Sequence, residues 1–138
     1  MEEKKFILFL HSGNYEKLYQ AVMLAITAAS MGSKVHIFLF FWALKKFATD
    51  QLDVVEIPEG MSDEDRRLLE AVPQGQSNML KELLSEVGQM GNLEVYACSG
   101  AVTLMGLDEE QVKSKVDDII GLPTMLKMAE GAETQLFI

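Results

Sequence analysis

The chain opens on an apolar run, Phe6–Leu10 (FILFL), with no polar alternation, the pattern of a strand covered on both faces. HSGN follows, with Asn14 placed to cap a helix that begins at Tyr15. Leu18, Val22, Ala25 and Ala29 then recur in steps of four, three and four, one stripe of a helix. Ala21, Leu24, Ile26 and Ala28 spread apolar surface around much of that helix, which suggests burial on two sides. Gly32 is a natural stop, because glycine accepts positive φ without a side-chain penalty.

A second continuous run, Val35–Phe41, is the next expected strand. Strand, apolar helix and buried strand in that order describe a right-handed parallel crossover. WALKKF then turns or starts a helix, and Asp50–Pro58 suits either a short strand or a covered extended loop. Ser62, three residues before Asp65, heads a short helix with an acidic first turn. Pro73 and PQGQS interrupt it. Met79, Leu80, Leu83, Leu84 and Val87 form an amphipathic stripe that ends near Gly88.

Leu93–Ala97 reads as a short strand that delivers Cys98 to its carboxyl end. Ser99–Met105 makes a brief helix stopped by Gly106, and Asp108 and Gln111 have capping-box spacing for another. Val116–Ile120 is strand-like. Pro123 and Gly131 bracket the last helix, and TQLFI closes the sequence as a final strand. The expectation is one α/β domain over residues 1–138, a three-layer Rossmann-like arrangement with about five mostly parallel strands. No repeat, linker or low-complexity tract divides it.

Composition narrows the chemistry. With 138 residues the chain is too short for a multidomain enzyme, and 49 % hydrophobic content supports an ordinary core. The formal charge of −9 opposes non-specific phosphate binding, so no nucleic-acid partner is expected. The most apolar stretch, Ile37–Leu44, is far below the ~20 residues of a membrane span. No membrane partner is expected, and without a secretory-signal pattern the expected compartment is the cytoplasm. One cysteine and two histidines exclude an internal disulfide and the familiar multi-cysteine metal sites, so no metal site is expected.

Cys98 is the sharpest chemical candidate, because parallel sheets bind ligands at the carboxyl ends of their strands. Free amides at a following helix start can stabilise a thiolate or a bound anion there. The competing reading is an inert core thiol. His11 also lies at a strand end and can tune a cysteine or orient a ligand if the sheet brings them together. His36, inside a strand, reads as structural. Ser12, Gly13 and Asn14 can form a compact anion-facing turn, although HSGN matches neither phosphate-loop fingerprint. Ser99 and Gly100 can help hold a terminal sulfur or an anionic donor. Tyr15, Trp42, Tyr96 and Met105 can line the same crevice, with packing as the bland alternative. The acidic groups Asp63–Asp65, Asp108–Glu110 and Asp117–Asp118 read as solvated loops and helix starts.

The segment YACSGAVTLMGL, Tyr96–Leu107, resembles the DsrE/DsrF-like family of small sulfur-relay proteins, in its single-chain branch labelled peroxiredoxin-like. Tyr15–Leu44 and the closing GLPTMLKMAEGAETQLFI support the resemblance, which spans nearly the whole chain. It implies a Rossmann-like fold, a persulfide-carrying cysteine at Cys98 and an oligomer. On that reading the protein is a sulfur carrier or sulfurtransferase-like protein, with thiol or persulfide proteins as donor and acceptor, and needs no cofactor. Two alternatives stand beside it: a non-catalytic regulatory or structural interaction module, and a thiol peroxidase with an external resolving thiol. The apolar first helix suggests a homo-oligomer, unless the segment between Gln51 and Val87 folds back over it.

Overall fold

A computed structural model describes residues 3–72 and 78–138. The elements run β1 (Lys5–Leu10), α1 (Tyr15–Ser30), β2 (Lys34–Leu39), α2 (Phe41–Ala48), α3 (Asp63–Glu70) and α4 (Met79–Gln89). They continue with β3 (Leu93–Cys98), α5 (Ser99–Leu104), α6 (Glu109–Lys113), β4 (Asp118–Ile120), α7 (Leu122–Met128) and β5 (Thr134–Phe137). The five strands form one sheet in the order β4-β3-β2-β1-β5, with every pairing parallel. The expected α/β class and near-parallel sheet are therefore present, and the parallel arrangement is complete.

The continuous apolar runs are explained by burial on both faces. Ile7, Leu8, Phe9 and Leu10 are all buried, as are five successive residues of β2, Val35–Leu39. α1 packs against β1, β2, β3 and α4. The connections β1–α1–β2 and β4–α7–β5 cross the sheet in opposite directions. A common right-handed crossover therefore puts α1 and α7 on opposite faces, which completes three layers. Met125, at the heart of α7, is fully buried.

Several local expectations are corrected. The second strand ends at Leu39 rather than Phe41, because Phe41 takes φ 41° and opens α2. A bulky residue at positive φ is rare and marks an over-determined turn. Asp50–Pro58 is a covered loop that buries Leu52, Asp53 and Val55. Asn14 occupies the cap position of α1, but its side chain makes no capping hydrogen bond. Ser62 and Asp108 do cap, accepting from the backbone N–H groups of Asp65 and Gln111. The interruption expected at Pro73 and PQGQS lies, up to Ser77, outside the described residues.

Candidate functional site at the carboxyl ends of β1 and β3

β3 carries Cys98 to its last position, as the strand pattern requires, and Ser99 begins α5 directly after it. Cys98 is only 6 % exposed, whereas Ser99 and Gly100 beside it lie open to solvent. A Cβ built on Gly100 meets Cys98 Sγ at 3.8 Å, so the sulfur lies directly under that backbone. The opposite wall was not legible in the sequence. A Cβ on Gly121, just before α7, sits 3.8 Å from Ser99 Oγ, which brings the α7 start alongside the cysteine turn. Only the pairing of Cys98 with Ile120 across β3 and β4 makes that approach possible.

His11 does not share this corner. Leu10, Leu39 and Ala97 lie in register across β1, β2 and β3, so His11 and Cys98 are separated by the end of β2. Two inter-strand spacings put their backbones about 10 Å apart. His11 is exposed, its ring centroid is 5.3 Å from that of Phe41, and its N–H donates to Ile138 O at 2.7 Å. Ser12 N–H donates to the same carbonyl at 3.2 Å, and Ser12 Oγ accepts from Asn14 N–H at 3.1 Å. HSGN is thus a turn pinned to Ile138, the residue that follows β5.

Gly13, Asn14 and Trp42 do come together, lining a cavity of about 300 Å³ with Lys45, Lys46 and Glu56. Gly13 is required there, since a Cβ would lie 2.8 Å from Trp42 Cβ. Trp42 is 55 % exposed, with Lys45 Nζ 6.0 Å from its ring centroid. Tyr15 is buried, 6.2 Å from the Tyr19 ring, and burial foremost, then the Asp53 charge, raises its hydroxyl pKa. Met105 sits at the far end of α5, donating its N–H to Ala101 O.

Tyr96 shares a sheet face with Cys98 but turns its chemistry the other way. Its hydroxyl donates to Glu94, two residues back along β3, and Glu94 also pairs with Lys34 at 3.3 Å. Burial first, then the Glu94 contact, raises the Tyr96 pKa far above the ordinary phenol value. The His36 ring stands edge-on to Tyr96 at 5.7 Å, and its buried Nδ1 has no hydrogen-bond partner. Burial lowers the His36 pKa. His36 is a neutral packing residue, in line with its structural reading.

A second cavity of about 490 Å³ opens between α4 and the residues that precede β4. Asp50, at φ 56°, bridges Lys81 at 3.0 Å and Lys115 at 2.7 Å on its rim. Those two contacts lower the Asp50 pKa. Cys98 lines neither of these cavities.

A five-stranded parallel α/β domain with a strand-end cysteine defines the class of small Rossmann-like proteins without a dinucleotide fingerprint. Residues 2–59 match the DsrE/DsrF/DrsH-like family model, so the N-terminal region of this chain is similar to that family. That match stops before Cys98. The chain is 25 % identical to the uncharacterized protein YrkE of Bacillus subtilis (strain 168), over 99 % of this chain and 98 % of YrkE. Its fold is similar to the crystal structure of the ychN protein from E. coli, at TM-score 0.62 and 16 % identity. That likeness covers 99 % of this chain and all of ychN. MTH1491 of Methanobacterium thermoautotrophicum, titled a protein of unknown function, gives TM-score 0.62 at 10 % identity with the same coverage. Among the described residues, no helix is long and apolar enough to cross a membrane.

Proposed function

We propose that the protein is a small cytoplasmic sulfur-relay carrier that uses Cys98 as a transient persulfide. The DsrE/DsrF-like match supports the sulfur-relay class, and the position of Cys98 at the end of β3 is the observation that carries the residue. The Cys98 thiolate attacks the outer sulfur of a donor persulfide, R–S–SH. The donor S–S bond breaks, R–S⁻ leaves, and Cys98–S–SH forms with no net oxidation. An acceptor thiolate then attacks the same outer sulfur and releases Cys98 as thiolate. Ser99 and Gly100 flank the Cys98 sulfur, so donor and acceptor approach over the exposed start of α5.

Loading the reduced native protein with a small persulfide, followed by intact mass and peptide mapping, tests this directly. The expected product gains one sulfur, about 32 Da, at Cys98. Labelled sulfur then passes from that adduct to an acceptor thiol. A native protein that stays unmodified while a known carrier loads overturns the proposal.

The burial of Cys98 favours a second reading, an interaction module that kept the fold without transfer. Reaction of Cys98 only after unfolding selects that alternative. Self-association belongs to either reading. Leu122, Leu126 and Phe137 are 52 %, 63 % and 75 % exposed, and such side chains gain from burial against a second copy. Light scattering over a dilution series tests it, and a 15.4 kDa species throughout removes it.

A further inference from the structure

The cavity beside Trp42 holds an unusual cation. Lys46 is only 6 % exposed; among the described residues its Nζ donates no hydrogen bond, and its one ion pair is with Glu56 Oε1 at 3.2 Å. The Glu56 side chain is itself 69 % exposed. A buried ammonium normally has its charge paired and its N–H groups engaged. Here, among the described residues, an exposed surface carboxylate is its one ion-pair partner.

The same cavity is lined by Gly13 and Asn14, at the start of the 16-residue helix α1. The Asn14 side chain leaves the first-turn N–H groups uncapped, and a helix N-terminus attracts negative charge. Lys45, exposed on α2, lines the wall as well. Two ammonium groups and a positive helix end thus face one carboxylate, in a chain whose formal charge is −9. Glu16, in the first turn of α1, does not line the cavity.

We propose that this cavity binds a small tetrahedral oxyanion, with Lys46 as its buried cation and the α1 start as its backbone cradle. Glu56 is the resident anion that a ligand displaces. Phosphate groups and sulfur oxyanions share the required chemistry, several acceptor oxygens around one negative centre. The site is independent of Cys98, which does not line it.

Trp42 is the only tryptophan and lies in the cavity wall, so its fluorescence reports occupancy. Full-length protein is titrated with inorganic phosphate, sulfate and thiosulfate at constant ionic strength, with chloride as reference. A saturable change above the chloride response is expected for at least one oxyanion. Tightest binding of phosphate assigns the phosphate class, and tightest binding of sulfate or thiosulfate assigns the sulfur oxyanions. Glu56→Gln, at an exposed side chain, removes the competing carboxylate and is expected to bind about threefold tighter or more. Lys46→Met loses binding, and Cys98→Ser keeps it. Should Lys46→Met fail to fold, Lys45→Ala weakens binding in its place. No saturable response in both the wild type and Glu56→Gln overturns the proposal, as does unchanged binding in folded Lys46→Met.

Discussion

Asp53 caps α4 from 27 residues away, its Oδ1 accepting from the backbone N–H of Leu80 at 2.9 Å. Oδ2 takes the next N–H, that of Lys81, at 3.3 Å. The cap residue itself, Asn78, makes no side-chain cap hydrogen bond. A buried carboxylate in the covered loop therefore does the work usually left to the residue that starts a helix. It ties the loop after α2 to the helix that packs on α1.

Asp53→Ala removes both acceptors and leaves the fully buried Leu80 with an unpaired N–H. The expected loss is about 1–3 kcal/mol of unfolding free energy. Asn78→Ala is expected to cost less. Urea titrations of the two variants at one pH compare them, and equal midpoints refute the long-range cap.

His36 sets a pH dependence. Burial lowers its pKa below 6.5, with Lys34 and Lys5 adding to the shift and Glu94 and Glu3 opposing it. The unfolded chain therefore takes up a proton first as pH falls. Stability is fully present above pH 6.5 and is lost as pH falls from there through the folded pKa. Glu94, whose pKa is lowered chiefly by the Tyr96 hydrogen bond, adds a further loss below pH 4.5. In His36→Gln the slope just below pH 6.5 flattens while the one below pH 4.5 remains. Unfolding midpoints measured across pH separate the two windows.

Where burial alone decides the element, the sequence was readable. After an initial lysine, β1 is wholly apolar and β2 is apolar but for the buried His36, because both faces are covered, and no other element suits such short runs. The same rule overran at Phe40–Phe41, where apolar residues continue but the backbone turns at φ 41°. The position of Cys98 was legible from the one strand that carries it. Its neighbours were not, since they depend on the strand order. β2 stands between His11 and Cys98, and β4 brings Gly121 to Ser99. Lys46 was equally hidden, because its place in WALKKF does not show that it is buried, paired with Glu56 and gathered with the α1 start around one cavity.

Tyr96 has its hydroxyl committed to Glu94, away from the cysteine turn. Tyr96→Phe is therefore expected to leave the rate of Cys98 alkylation in the native protein unchanged. Ser99→Val and Gly100→Val, which place bulk over the sulfur, slow it. Alkylation followed by intact mass at fixed pH makes the comparison. A marked change in Tyr96→Phe shows that the ring, rather than the α5 start, governs access.

Ile26 separates self-association from core packing. From sequence, a glutamate here weakens an oligomer if this side of α1 is an interface. In the fold α1 packs against α4, and Ile26 is half-buried against the core beside the fully buried Val22 and Ala25. Within the segment after Gln51, α4 packs on α1 inside one chain. A charge at this position must be desolvated or must displace the core residues packed there, at a cost of about 2 kcal/mol or more. Ile26→Glu is therefore expected to lower the urea midpoint at every protein concentration. A folded Ile26→Glu with wild-type stability and a smaller mass by light scattering shows instead that α1 faces another copy. Leu126→Glu, on the exposed side of α7, is the matched control: little loss of stability is expected, and any change in mass locates association there.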